Sequence, residues 1–270
     1  MPELPEVETT VRGLAAVLEG RRIASVETRR ADLRFPFPVD LAQRLVGAGV
    51  TGLRRRAKYG LIETDRDDTL IFHLGMSGRW RIDPETIGAH DHLLIGISDG
   101  GRLALNDPRR FGFVALVATA QRDNWPAFAA MGPEPLEPGF DGGWLARALV
   151  GRTAPIKAML LDQRIVAGLG NIYVCEALHG AGIAPSTPAG QIGRRRLDRL
   201  AREVRRVLAS AIAAGGSSLR DFAAPDGRLG YFAKDWAVYG RDGEACRCGA
   251  TVLRQVDSGR STFWCARCQR

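Results

Sequence analysis

The 270-residue sequence lacks the features of several common classes of protein. It has no run approaching the ~18 consecutive apolar residues of a membrane-spanning helix. Its start, MPELPEVETT, carries carboxylates where a secretory signal has basic and then apolar residues. It also has no internal repeat and no low-complexity tract. We therefore expect a globular protein of the cytoplasm with no membrane partner.

Cysteine is scarce, and the positions of the five cysteines argue against a disulfide framework. Four of them lie within the last 25 residues, whereas Cys175 stands alone in an apolar context. Disulfides would be spread differently, and the cytoplasm is reducing. A metal site is therefore the leading interpretation for Cys246, Cys248, Cys265 and Cys268, and Cys175 is predicted to be a small buried hydrophobic residue.

Acidic residues are fewer than basic ones, 30 against 38, which gives a net charge of +8. Many arginines are clustered, at 54–56, 109–110, 194–196 and 205–206. Such clusters favour a polyanionic partner, because a cation placed on a phosphate releases counterions. Solvated basic faces account for the same clusters equally well. Composition therefore points to nucleic acid without deciding the question.

Hydrophobic periodicity changes along the chain in a way that indicates three domains. Helical spacing over 5–20 predicts one amphipathic helix, and short strands separated by turns follow over about 23–117, which favours a sandwich or flattened barrel. The Pro- and Gly-rich segment 133–143 is typical of a linker, and helices follow it. From about Trp236 the tail returns to short strands around the cysteines. The predicted domains are 1–132, 133–235 and 236–270.

Pro2 is a candidate nucleophile. Removal of Met1, which is usual before a small residue, would leave a free secondary amine with a pKa near ~8, so that a good fraction is neutral at pH 7. Attack on a sugar C1′ would give an iminium that stays cationic without protonation. Glu3 and Glu6 lie close enough in sequence to shuttle protons. Taken alone, these residues are also an ordinary helix start.

Motifs along the whole chain resemble those of the formamidopyrimidine-DNA glycosylase family, the bacterial oxidised-purine glycosylases. They are MPELPEVET at the start, RRAKY at 55–59, HLGMSG at 73–78, DPRRFG at 107–112, LLDQRIVAGLGNIYVCEAL at 160–178 and GRSTFWCARCQ at the C-terminus. The resemblance implies an α+β multidomain fold: an N-terminal helix plus β-sandwich, a helical helix-two-turn-helix domain, and a C-terminal zinc-finger β-hairpin.

The resemblance also implies a bifunctional enzyme of base excision repair. Such an enzyme would excise 8-oxoguanine and formamidopyrimidines from damaged double-stranded DNA through a Schiff base on Pro2, then cleave the strand by β,δ-elimination. Glu3 would be the acid/base residue, and Lys58 and Arg260 would bind phosphates beside the lesion. We expect a monomer associated with the bacterial nucleoid.

Further DNA contacts follow from the same resemblance. Met76, Arg109 and Phe111 would fill the gap left by a flipped-out nucleotide, since a hole in a base stack suits an apolar wedge and the orphaned base suits the forked donors of Arg. His90 matches a family DNA contact. Without the motifs, a core Met and Phe and a solvated surface His would be the preferred interpretations.

The GLGNIY motif in the helical domain predicts a phosphate site. Its glycines allow a tight turn, and Asn171 is predicted to cap the following helix, whose first N–H groups suit a phosphate. We assign Arg152, Lys157 and Asn171 to the DNA backbone. GGSSLRDF at 215–222 resembles the family's mobile loop over the damaged base.

One structural zinc per chain is implied, but the first cysteine pair departs from the family pattern. Only Arg247 separates Cys246 from Cys248, where the family has two residues. Regular tetrahedral coordination, strained coordination and a substitute ligand are therefore all open.

Two other functions compete with the main one. The first is an endonuclease VIII-like activity on oxidised pyrimidines. The second is a DNA-binding protein that has kept the fold but lost catalysis, which the presence of Pro2, Glu3, Lys58 and Arg260 argues against.

Overall fold

The structure is a computed structural model that describes residues 2–217, 224–225, 230, 232–257 and 259–270. Contacts divide the chain into two compact units, Met1–Ala129 with Ala214–Tyr231, and Ala130–Ala213 with Phe232–Arg270. Within the described ranges, none of the helices has the length and apolar character that a membrane crossing requires. The three domain boundaries expected from the sequence stay a prediction.

Helix α1 (Leu4–Leu18) opens the first unit with Pro5 in its first turn. It buries the stripe that the sequence predicts, namely Val7, Val11, Leu14 and Leu18. Side chains at this spacing share one face of a helix, so α1 covers the core of the first unit.

Two four-stranded antiparallel sheets form the rest of the first unit's regular structure, together with short helices. One has the order β1 (Ile23–Thr28), β6 (Asp91–Ile97), β7 (Arg102–Asn106), β5 (Arg79–Ile82), and the other β2 (Val50–Arg56), β3 (Tyr59–Thr64), β4 (Asp68–His73), β8 (Phe113–Ala118). The Phe72 and Trp80 rings, one from each sheet, meet edge to face at 5.6 Å. The predicted sandwich is confirmed. The short helices are α2 (Leu41–Leu45), α3 (Pro126–Ala129) and a 3-10 turn, Thr119–Asn124.

The second unit contains four helices and a β-hairpin in the part of the chain that the structure describes. The helices are α4 (Gly142–Leu149), α5 (Ile156–Leu161), α6 (Asn171–Ala181) and α7 (Arg194–Ala213), with 3-10 turns at Ala189–Gln191 and Phe232–Asp235. The hairpin pairs β9 (Leu253–Asp257) with β10 (Arg260–Trp264). Its small core also holds Cys175 of α6, which is fully buried as predicted.

Candidate active site, DNA-binding residues and metal centre

Both residues predicted to start the chemistry, Pro2 and Glu3, are buried just before the first turn of α1. Glu3 is the N-cap, and it forms a reciprocal capping box with Glu6, whose Oε2 accepts the Glu3 N–H at 2.8 Å. The Glu6 Oε1 accepts the N–H of Ser217 at 2.8 Å. Because both Glu6 oxygens hold backbone N–H groups, Glu6 suits positioning better than the proton transfer suggested by its sequence position.

The segment that begins at Gly215 is thus tied to the start of α1. Gly215 and Gly216 have φ of 75° and 83°, a left-handed conformation that favours glycine. A Cβ on Gly216 would also lie 3.2 Å from Glu6 Oε1. The remainder of the loop predicted at 215–222 lies outside the described residues.

Lys58 is buried at the two-residue turn between β2 and β3. Ala57, the other turn residue, has φ 52°, and its carbonyl accepts a hydrogen bond from Arg55 Nη1 at 3.0 Å. Arg55 Nε also donates to Glu8 of α1 at 2.9 Å. The turn that carries Lys58 is therefore fastened to α1, the helix that begins directly after Pro2 and Glu3.

His73 is a half-buried neighbour that the sequence analysis did not single out, although it begins the HLGMSG motif. Its Nδ1 accepts the Gly75 N–H at 3.0 Å. Burial, together with the charges of Lys58 and Arg34, lowers the pKa of His73 to about 4. The ring is therefore neutral at pH 7, and its Nε2 carries the proton.

The loops 73–78 and 107–112 are fastened together by Asp107, which is fully buried. Its Oδ1 accepts the hydroxyl of Ser77 at 2.7 Å, and its Oδ2 accepts the N–H of Gly112 at 2.8 Å. A Cβ on Gly75 would lie 2.3 Å from the carbonyl carbon of Phe111, so only glycine permits this approach.

The paired loops expose the residues predicted to enter the DNA. Met76 is 38% exposed and Phe111 is 44% exposed, and the Arg109 guanidinium lies 4.8 Å from the Phe111 ring centroid. The alternative of a core Met and Phe is wrong. His90 is exposed, and its carbonyl accepts the N–H of Asp107, the residue that joins the two loops, at 2.9 Å.

In the second unit, Arg260 is exposed and begins β10 directly opposite Asp257. Gly259 of the turn has φ 74°, while Ser258 lies outside the described residues. Lys157 is only 3% exposed, and its Nζ donates to Thr262 Oγ1 at 2.6 Å and to the Ser261 carbonyl at 3.2 Å. Burial lowers the pKa of Lys157.

Asn171 does not cap α6, so that prediction is wrong. Gly170 occupies the N-cap, and Asn171 Nδ2 instead donates to the Ser261 carbonyl at 2.8 Å. Lys157 and Asn171 therefore both hold the residue next to Arg260, while Thr262 donates to the Asp257 carboxylate. Arg152, which precedes α5, is exposed.

Several of the clustered arginines are structural. Arg55 is paired with Glu8, Arg54 with Glu63, and Arg206 with Glu203. Arg205 donates to the carbonyls of Pro135, Glu137 and Phe140. Clustering alone therefore overstates the number of cations available to a polyanion.

The four C-terminal cysteines form a compact group that fits a metal ion. Their Sγ atoms all lie within 4.8 Å of one another, with 3.9 Å between Cys246 and Cys268 and 3.5 Å between Cys248 and Cys265. A tetrahedral zinc with Zn–S bonds of about 2.3 Å separates its sulfurs by about 3.8 Å. A hydrogen bond from the Ala250 N–H, the largest of several causes, lowers the pKa of Cys248 to about 7. The one-residue spacing of the first pair does not prevent the group from forming.

Comparison with known proteins places the chain in a family. Sequence models of the formamidopyrimidine-DNA glycosylase N-terminal domain and H2TH domain match residues 1–114 and 131–223. The formamidopyrimidine-DNA glycosylase of Rhizorhabdus wittichii is 68% identical over 270 residues, with both chains fully covered. The chain belongs to the formamidopyrimidine-DNA glycosylase family.

Solved structures of formamidopyrimidine-DNA glycosylases agree over the whole chain. Lactococcus lactis Fpg in complex with abasic-site DNA has a TM-score of 0.93 at 37% identity, with 100% of both chains covered. MutM (Fpg) of Thermus thermophilus has a TM-score of 0.90 at 38% identity, covering 99% of this chain and 98% of that one. The predicted fold and family are confirmed.

Family membership also gives the class of activity. Formamidopyrimidine-DNA glycosylases are DNA N-glycosylases of base excision repair that act on damaged DNA and have AP lyase activity. The relatives from Rhizorhabdus wittichii and Novosphingobium aromaticivorans carry the name of the purine enzyme, which disfavours the endonuclease VIII-like alternative.

Proposed function

We propose that this chain excises 8-oxoguanine and formamidopyrimidines from double-stranded DNA and cleaves the strand by β,δ-elimination, with Pro2 as the nucleophile. The buried, capped start of α1 carries this proposal, because Pro2 is buried and directly precedes Glu3, whose position is fixed by the capping box with Glu6. A Lactococcus lactis Fpg mutant has been solved in complex with Fapy-dG DNA, and it has a TM-score of 0.93 to this chain. That complex supports an oxidised purine as the substrate.

The chemistry needs a free secondary amine at Pro2, which removal of Met1 supplies. The Pro2 nitrogen attacks C1′ while the bond from C1′ to the base breaks, and the base leaves with the proton that the Pro2 nitrogen loses. Glu3 can give a proton to the sugar ring oxygen as the ring opens, which leaves a cationic iminium. Loss of a C2′ proton then expels the 3′ phosphate, and loss of a C4′ proton expels the 5′ phosphate. The iminium accepts the electrons of both steps.

Lys58 and Arg260 hold the phosphates beside the lesion in this proposal. Lys58 is fixed by its turn, and a neutral His73 offers a further Nε2–H donor close to that lysine's charge. Arg260 presents the forked donors that suit a phosphate. Because the amine of Lys157 already donates to two groups of β10, we assign Lys157 and Asn171 first to positioning Arg260.

The exposed loops of the first unit provide the DNA-reading surface. We assign Met76 and Phe111 to the gap left by the flipped nucleotide and Arg109 to the orphaned base. The exposure of all three and the contact between Arg109 and Phe111 support this assignment. His90 and Arg152 are assigned to the DNA backbone, and both are exposed.

One zinc ion per chain completes the proposal, bound by Cys246, Cys248, Cys265 and Cys268. When bound, zinc acts as a structural crosslink that holds the β9–β10 hairpin. The enzyme is proposed to act as a monomer.

Borohydride trapping on a duplex containing 8-oxoguanine tests the nucleophile. The reduced crosslink should map to residue 2 by mass spectrometry, and it should weaken strongly in Pro2→Gly, whose primary amine gives an imine that can lose its charge. Pro5→Ala in the same helical turn is the matched control and should trap normally. A crosslink mapped to Lys58, or trapping unaffected by Pro2→Gly, would refute the assignment.

A second duplex containing thymine glycol tests the substrate class. We expect excision of 8-oxoguanine to be much the faster. Preference for thymine glycol would instead indicate the endonuclease VIII-like activity.

A further inference from the structure

His179 lies against one of the four clustered cysteines. Its Nε2 is 3.5 Å from the Sγ of Cys246, which in turn is 3.9 Å from the Sγ of Cys268. His179 is on the last turn of α6, four residues after Cys175, and residues at this spacing share one helix face. Cys175 packs in the hairpin core with Cys246 and Cys265, so this face of α6 covers the cysteine group.

We propose that His179 is part of the metal centre: its Nε2–H donates a hydrogen bond to the Cys246 thiolate and positions that ligand. The proposal rests on the zinc site proposed above and adds a positioning residue to it. A metal-bound thiolate only accepts hydrogen bonds, so the ring nitrogen that faces it must carry the proton.

Charge explains why the site needs such a donor. Four thiolates around Zn²⁺ leave a net charge of −2, and a buried charge is costly unless hydrogen bonds offset it. Cys246 is only 4% exposed, so water cannot solvate its sulfur freely. A donor from α6 supplies part of that solvation from within the protein.

The unusual spacing of the first pair makes the donor more important. A one-residue separation has one backbone N–H fewer between the two sulfurs than a two-residue separation. The Cys248 N–H is hydrogen-bonded to Cys246, and the Ala250 N–H to Cys248. His179 belongs to α6, outside this turn, so its hydrogen bond to Cys246 does not depend on any residue of the shortened loop.

The acidic side chain of α6, that of Glu176, is already engaged. The Glu176 carboxylate accepts the N–H groups of Ala237, Val238 and Tyr239 at 2.8 to 2.9 Å. It thereby fastens the chain entering the hairpin, while His179 contacts the cysteine group itself. The two residues have separate partners and can be tested separately.

The test compares His179→Phe with His179→Gln in the full-length, zinc-loaded chain. Phe keeps a planar ring without a donor, whereas Gln keeps an N–H donor at a similar reach. Zinc transfer to a chromogenic chelator should be about 10-fold faster or more for His179→Phe, and within about threefold of the unmodified rate for His179→Gln. The thiolate-to-metal charge-transfer band of the Co²⁺-loaded protein should shift in His179→Phe only.

The outcomes separate the proposals. Equal zinc transfer from His179→Phe and the unmodified chain would overturn the role of His179. Equally fast transfer from both variants would also overturn it, because it would indicate packing rather than a hydrogen bond. An unmodified chain purified without chelator that holds no metal would refute the metal centre itself.

A measurement on the unmodified chain covers the case in which the variants do not fold. Nitrogen-15 NMR of the zinc-loaded protein should show His179 as the Nε2–H tautomer. Replacement of zinc by ¹¹³Cd should give a coupling between the metal and the Nε2 proton across the hydrogen bond. The Nδ1–H tautomer would overturn the proposal.

Discussion

Two β-hairpins of the chain carry a candidate phosphate-binding cation at the turn, and they are stabilised differently. The β2–β3 hairpin belongs to a four-stranded sheet, and its Lys58 is only 8% exposed. The β9–β10 hairpin is a sheet of two strands, and its Arg260 is exposed. Isolated two-stranded hairpins are marginally stable at best in water.

The difference shows what each cation depends on. Packing fixes the first hairpin, since Leu61 and Ile62 of β3 are buried and Arg55 ties the turn to α1. Polar donors fix the second, since Lys157 and Asn171 reach β10 from α5 and α6, and the cysteine group lies at its base. The position of Lys58 is therefore built into the core, whereas the position of Arg260 depends on groups that can be removed singly.

Removal of the metal should have the largest effect, and the effect should fall on the second hairpin. Chelation, or Cys265→Ser, should lower incision of an 8-oxoguanine duplex by about 100-fold or more, because the metal supplies much of the folding free energy of such a hairpin. Limited proteolysis should then release the C-terminal hairpin while residues 1–129 resist cleavage. Normal incision by a chain shown to be metal-free would refute this prediction.

Acidification should affect the first hairpin through His73. His73 of β4 is paired with Tyr59, next to Lys58, and burial lowers its pKa from 6.5 to about 4. Between these values the unfolded chain binds more protons than the folded one, so the free energy of unfolding falls as pH drops from about 6.5 to about 4. The loss is on the order of 3 kcal/mol.

Urea unfolding at several pH values measures this loss. His73→Asn should flatten the dependence within that window, whereas His90→Asn, at an exposed position, should not. An unchanged slope in His73→Asn would show that other groups carry the effect.

Two neighbouring arginines of β2 test how packing stabilises the first hairpin. Arg55 is 9% exposed and paired with Glu8 of α1, while Arg54 is 69% exposed and paired with Glu63. Arg55→Gln should lower the free energy of unfolding by about 2 kcal/mol, because it removes a charge-assisted hydrogen bond that water reaches poorly. Arg54→Gln should cost at most about 0.5 kcal/mol. Equal losses in urea unfolding would contradict the proposed fastening of the turn to α1.

The sequence predicts best what depends on local pattern. The apolar face of α1 and the group of four cysteines follow from spacing, and the structure confirms them. The arginine cluster at 54–56 suggests a polyanionic partner in the sequence, whereas Arg54 and Arg55 pair with Glu63 and Glu8 in the fold. Asn171 was misjudged for the same reason, since its partner is 90 residues away in the chain. Long-range hydrogen bonds leave no periodicity in the sequence.

Substitution at the exposed tip of the second hairpin should give the smallest of these effects. Arg260→Ala should lower both DNA affinity and excision by at least about 10-fold, or about 1.4 kcal/mol each, because the phosphates beside the lesion lose a forked donor. Zinc content and fold should stay unchanged, since Arg260 is exposed and the donors to Ser261 remain.

Arg254→Ala is the matched control on the same hairpin. Arg254 is exposed on β9 and donates to the Ser261 hydroxyl at 3.1 Å, so it shares the charge and the setting of Arg260 without its place at the turn. Binding and single-turnover excision by this variant should stay within about threefold of the unmodified enzyme, as is usual for a surface charge. If both variants lose activity equally, the hairpin attracts DNA only through its overall charge. If neither does, Arg260 is a solvated surface residue, and Lys157 and Asn171 position a hairpin whose tip does not take part in the reaction.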